Sequence, residues 1–171
     1  PEHRSRLAEA AESLGRLDLL VNNASHLGLS PLPHLAEYPL HAMERVLKVN
    51  LIAPLGLVQA TLPLLSRSGG LAINISSDAA GGGYPGWGAY GASKAALDLV
   101  SLTLAREFRD DHVAVVSVDP GDMRTQMHQD AFAGEDISDR PLPEVTMPFW
   151  AWLLGQPRTL VTGRRFQAQS D

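Results

Sequence analysis

Apolar positions along the chain fall into two patterns. Near-continuous short runs occupy Leu17 to Val21, Leu71 to Ile75 and Val113 to Val118. Such runs predict strands covered on both faces, as in a parallel sheet. A last short strand is expected within Arg164 to Ala168. Longer stretches carry apolar residues at helical spacing. Leu7, Ala8, Ala11 and Leu14 mark an amphipathic helix over residues 1–15, with Gly15 as its stop. A long helix is predicted from about Leu40 to Leu65, and another over 90–109 that is apolar nearly all round. A helix of that kind is buried on more than one side, by the sheet and by a partner subunit. Residues 148–155 read as a short helix. Strands alternating with helices predict one α/β domain, 1–171, built on a doubly wound parallel sheet.

Punctuation refines this picture. Residues 26–38 are irregular and proline-rich, and Gly69-Gly70 separates the long helix from the second strand. The long helix contains Pro54 and Pro63. Pro54 has no N–H, so the carbonyl of Asn50 loses its helical partner. The resulting kink either leaves that carbonyl free to hold a water or simply bends a packed helix. Residues 78–88 form a loop with five glycines. It lacks G-x-x-x-x-G-K-[ST] and so is no phosphate cradle; Tyr84 and Trp87 are possible walls of a substrate site. Residues 126–147 are polar and proline-containing and read as a lid.

Composition narrows the function classes. Hydrophobic residues make up 44% of the 171, enough for a sizeable core. The net charge is −5 with no basic run, which weighs against nucleic acid and anionic membrane as partners. There is no cysteine, so neither disulfides nor thiolate chemistry are available. The six histidines show no HExxH or similar spacing, so no metal site is expected. No signal peptide is evident and no run of about 18 apolar residues stands out; the expected location is cytoplasmic.

Candidate chemistry concentrates between Ser76 and Lys94, in SSDAAGGGYPGWGAYGASK. Tyr90 and Lys94 are four apart at the start of a helix, so phenol and ammonium share a face. A free tyrosine, with a pKa of about 10, is a poor acid or base near neutrality. A neighbouring cation is expected to pull that pKa down and make Tyr90 a usable general acid or base. Ser77 follows the second strand, where a hydroxyl can hold a substrate oxygen. The Asn22-Asn23 turn ends the first strand, where ligands of open α/β sheets bind. Taken alone, it reads first as a turn that satisfies backbone groups.

Five ordered motifs resemble the short-chain dehydrogenase/reductase family. They are Asn22-Asn23-Ala24-Ser25, Asn50 within Val49-Asn50-Leu51, Ile75-Ser76-Ser77, Tyr90-Gly91-Ala92-Ser93-Lys94, and Pro120-Gly121-Asp122-Met123-Arg124-Thr125. The resemblance implies a Rossmann-like fold and an NAD- or NADP-dependent oxidoreductase acting on a small alcohol or carbonyl compound. By the same resemblance, Tyr90 transfers the proton, and Lys94 depresses its pKa and binds the nicotinamide ribose. Ser77 holds the substrate oxygen, and Asn50 anchors a water that links to the lysine. Asn23, Ala24 and Ser25 contact the adenosine side of the cofactor; Pro120, Gly121, Met123 and Thr125 contact the nicotinamide side. Ser25 replaces the family's usual glycine. The family's usual assembly, a homodimer or homotetramer through the long helices, is implied as well. No glycine-rich pyrophosphate turn precedes residue 22, so roughly the first third of a family member is expected to be absent. Nor does the chain carry the residue that separates NAD from NADP. That leaves a rival reading: a catalytically silent binding or scaffold protein, or a piece inactive without its N-terminal part. It also leaves Leu17 to Val21 as an exposed apolar edge.

Overall fold

A computed structural model describes residues 2–169. Helix α1, Glu2–Ser13, leads into strand β1, Leu19–Asn22. Helix α2, Leu40–Leu47, continues through a π turn at Lys48–Ile52 into α3, Ala53–Ser68. Strand β2, Leu71–Ile75, is followed by the short α4, Ala79–Gly82, and by α5, Gly88–Glu107. Strand β3, Ala114–Asp119, precedes α6, Gln126–Ala131; α7, Met147–Leu154; α8, Arg158–Val161; and strand β4, Arg165–Gln167. The four strands form one sheet in the order β1-β2-β3-β4, every pair parallel. The parallel sheet expected from the alternating pattern is therefore present.

Alternation along the strands divides the core into two layers. Ala72, Val113 and Val115 pack against Val58 and Leu65 of α3 and Leu104 and Ala105 of α5. On the opposite face, Leu71, Ile73, Val116 and Val118 meet Leu153 of α7 and Val161 of α8, with Phe149, Trp150 and Phe166 at the margin. Each such aliphatic side chain contributes about 1.5–3 kcal/mol by leaving water. β1 departs from the expected burial on both faces. Its Leu20 packs into the α3–α5 layer, whereas Leu19 and Val21 are 36% and 45% exposed. No described element covers them, so β1 is the exposed apolar edge anticipated above.

The long helix is broken as Pro54 dictates. The Ala53 N–H reaches back five residues to the Lys48 carbonyl, giving one π turn centred on Asn50. Pro63 is accommodated inside α3. Within the run Leu40–Ser68 an 18-residue stretch reaches a mean hydropathy of 1.5, so by length and composition alone this helical run could cross a membrane. Here its Val46, Val58, Leu64 and Leu65 are buried within the protein. Helix α5 is less evenly buried than its composition implied. Tyr90, Lys94, Leu97, Ser101 and Leu104 face inward, while Leu99 is 65% exposed. The 78–88 segment contains the single turn of α4, and the 126–147 segment contains α6 and a 3-10 turn at Pro143–Thr146.

Candidate active site

The carboxyl ends of β2 and β3 open into a cavity of about 630 Å³. Its wall includes Asn23, Ser25, Ser77, Tyr90, Lys94, Pro120, Gly121, Met123 and Thr125. Nearly all the residues singled out by motif therefore converge on one space. Two do not line it. Ala24 lies exposed beside the cavity, and Asn50 lies behind its wall, 1% exposed.

Asn50 acts here as a clamp. Its Oδ1 accepts from the His26 main-chain N–H at 2.7 Å and from the Ser25 hydroxyl at 3.3 Å. Its Nδ2 donates to the His26 carbonyl at 2.9 Å and to Ser93 Oγ at 2.9 Å. Ser93 in turn donates to the Tyr90 carbonyl at 2.6 Å. The π turn thus ties the loop after β1 to the helix that bears Tyr90. A second buried polar ladder lies beneath it. Asn22 Nδ2 donates to Asn74 Oδ1 at 2.7 Å, and Asn74 Nδ2 donates to Ser101 Oγ at 2.8 Å. It locks β1, β2 and α5 in register, and nothing in the motifs had pointed to Asn74 or Ser101.

Helix α5 sits close to the Ser77 loop because residue 91 is glycine. A Cβ there would lie 2.5 Å from the Ala79 carbonyl oxygen and force the helix away. Tyr90 is 7% exposed and Lys94 2%. The ammonium lies 5.4 Å from the centre of the Tyr90 ring and donates to the Ile75 carbonyl at 2.7 Å. The expected lowering of the Tyr90 pKa is not found. Burial pushes it above the ordinary value, although the hydroxyls of Ser25 and Ser77 favour the phenolate; Asp119 and Asp78 add to the rise. Burial instead falls on the cation: Lys94 is lowered from 10.5 to about 8, against the opposing pull of Asp98. Helical spacing gave the neighbour correctly but not the desolvation, which outweighs it.

Ser77 Oγ accepts from the Ala79 N–H at 3.2 Å and donates to Asp78 Oδ1 at 3.1 Å. Tyr84 donates to the other oxygen of Asp78 at 2.9 Å. Tyr84 and Trp87 line the cavity as anticipated, joined by Met127, His128 and Phe132. Trp87 meets Tyr90 edge-on at 5.7 Å and Phe132 at 6.1 Å. On the other side Gly121, at φ +76°, turns the chain after β3, and its N–H donates to Asp119 Oδ1 at 3.0 Å. Thr125 caps α6 by accepting from the His128 N–H at 3.2 Å. Asp78, Asp119 and Asp122 also line the cavity and were missed as site residues. Their position at or just after strand ends was the available signal.

The sequence profile described as short chain dehydrogenase matches residues 2–136. The chain belongs to the short chain dehydrogenase family. It is 36% identical over 171 residues to the "Uncharacterized oxidoreductase YciK" of Escherichia coli, covering 98% of this chain and 66% of that protein. It is 36% identical over 137 residues to a Saccharomyces cerevisiae "Benzil reductase ((S)-benzoin forming)", covering 74% of this chain and 51% of the relative. Among solved structures, a short chain dehydrogenase of Shigella flexneri complexed with NADP superposes with a TM-score of 0.89 at 34% identity. That match takes in 99% of this chain and 70% of the other. The chain thus spans about two thirds or less of the curated family members it matches. The Rossmann-like fold inferred from the motifs is shared with these dehydrogenases.

Proposed function

We propose that this chain carries the proton-transfer and substrate-holding part of an NAD(P)-dependent reductase. The observation that carries the reading is the convergence of Ser77, Tyr90 and Lys94 on one cavity, with Asn50 bracing the wall behind them. The residues present fit the nicotinamide end of the cofactor. The Lys94 ammonium is buried and directs one donor to Ile75, which leaves donors for ribose hydroxyls. The turn at Gly121, packed against the Gln169 side chain, brings the chain after β3 to the cavity edge. When bound, the nicotinamide supplies or takes the hydride. By family resemblance Asn23, Ala24 and Ser25 would contact the adenosine side and Pro120, Gly121, Met123 and Thr125 the nicotinamide side, with the Ser25 hydroxyl also facing Tyr90.

Tyr90 is the general acid. Burial raises its pKa in the cofactor-free protein, so the phenol holds its proton near neutrality, and donation to a carbonyl oxygen relies on the Ser25 and Ser77 hydroxyls and the Lys94 cation to stabilise the phenolate left behind. Ser77 holds that oxygen where negative charge develops. The main-chain carbonyl of Asn50, at the π turn, anchors a water toward Lys94. Among the lining residues only Lys94 and His128 are basic, against three aspartates, and Tyr84, Trp87, Met127 and Phe132 form an apolar flank. The substrate is therefore an uncharged ketone or aldehyde with an apolar or aromatic substituent. The benzil reductase relative acts on a molecule of that kind by its name.

The test is cofactor consumption by the natural full-length protein, with NADH and NADPH, over a panel of neutral aromatic ketones and their carboxylated analogues. Turnover of the neutral ketones in excess of the acids supports the proposal. Binding of neither cofactor at micromolar concentration contradicts it, and favours a silent scaffold.

A further inference from the structure

One guanidinium joins the carboxyl ends of two strands to the middle of α5 beside the cavity. Arg165 opens β4, in register with Ser117 of β3. Its Nη2 donates to the Ser77 main-chain carbonyl at 2.9 Å and to Asp119 Oδ2 at 3.3 Å. Its Nε donates to Asp98 Oδ2 at 3.0 Å. Ser77 follows β2, Asp119 ends β3, and Asp98 stands one helical turn beyond Lys94 on α5. The Ser77 carbonyl also accepts from the Ala80 N–H at 3.1 Å, so the same oxygen anchors the turn that begins α4.

The surrounding charges require a cation at this point. The side chains of Asp119 and Asp98 are 5% and 18% exposed, so water screens them little. Asp98 Oδ1 is buried without a hydrogen-bond partner. Two carboxylates and a carbonyl oxygen repel one another unless a positive group lies between them. Arginine suits the task because its planar fork addresses several acceptors at fixed angles, which a lysine ammonium does not.

We propose that Arg165 is a positioning residue for Ser77. It fixes the Ser77 carbonyl, and through the adjoining backbone the hydroxyl, against the helix that bears Tyr90 and Lys94. The inference rests on the reading of Ser77 as the holder of the substrate oxygen. Its consequence is kinetic. A displacement of about 1 Å at a reacting group can cost about 10²-fold in rate, while binding surfaces elsewhere stay unchanged.

The experiment compares the natural full-length protein with Arg165→Ala, reading amide exchange, kcat and cofactor affinity. Exchange of the 77–82 amides should quicken by about tenfold or more, while the centre of α5 keeps its protection. The kcat should fall about 10–100-fold with cofactor Kd within about threefold of the parent. Millimolar guanidinium, but not sodium at equal ionic strength, should restore part of kcat, because the lost group sits at a half-exposed position. Unchanged exchange over 77–82 overturns the proposal, whether or not turnover is found. So does a kcat within about twofold of the parent, or a loss that guanidinium does not relieve. If Arg165→Ala does not fold, Arg165→Lys replaces it: a native-like melt with kcat down about fivefold or more supports the proposal, and an unchanged kcat overturns it. Absence of parental turnover on every carbonyl compound counts against the reductase reading alone, and the exchange measurement still decides the role of Arg165.

Discussion

Raising the pH from about 7 to about 9.5 should stabilise the cofactor-free protein through Lys94. In the fold this ammonium is 2% exposed, and burial lowers its pKa from 10.5 to about 8. In the unfolded chain the ordinary value returns. Between those two values the unfolded state binds more protons than the native state, so stability rises with pH across that window. At pH well below 8 the charged native lysine costs about 3 kcal/mol relative to an unshifted one. Of this, about 2 kcal/mol is relieved by pH about 9.5, where the native lysine has lost its proton and the unfolded one mostly has not. The assay is urea unfolding at both pH values, for the parent and for Lys94→Met. The variant removes the titration while keeping the aliphatic stem. The parent should gain about 2 kcal/mol more than the variant between the two conditions. Parallel behaviour within about 0.5 kcal/mol, or a loss in the parent, refutes the argument that desolvation dominates at this site.

Asn50→Ala should destabilise the protein by about 2–4 kcal/mol in urea, because the His26 N–H and carbonyl lose their partner inside the wall; a change under about 0.5 kcal/mol would show that the clamp is dispensable. We also expect association through the outer faces of the helical run Leu40–Ser68 and of α5, where Ile52 and Leu99 are 47% and 65% exposed. Light scattering should give a multiple of the monomer mass, and a monodisperse monomer at high concentration would contradict that assembly.

The strand Leu71 to Ile75 was legible in full because an apolar run follows a double glycine and meets a polar Ser-Ser-Asp. Pro54 likewise announced a break at Asn50, since a missing N–H has one local consequence. What the break becomes was not legible. A π turn, with the Asn50 side chain spanning from His26 to Ser93, depends on residues 24 and 43 positions away. The direction of the Tyr90 shift was misread for a related reason. Spacing along a helix names the neighbouring cation but carries nothing about how deeply both groups are buried. Arg165, Asp98 and Asp119 come from separate elements, 67 and 46 positions apart, and meet only when β4 is laid beside β3. No local pattern marks such a meeting. The cavity-lining serine, tyrosine and lysine were singled out because their order and spacing resemble the motifs of a family, and the profile match over residues 2–136 places the chain in that family.

The most direct test of the proposed chemistry is the single-turnover rate of carbonyl reduction by the natural full-length protein and its Tyr90→Phe variant, with cofactor bound to saturation. The phenol is 7% exposed and lines the cavity beside Ser77 and Lys94, so removing its oxygen takes away the proton donor and little packing. The rate should fall about 10²–10⁴-fold with melting temperature and cofactor affinity preserved. A variant rate within about threefold of the parent would show that the proton comes from elsewhere, and would contradict the assignment of Tyr90 as the acid.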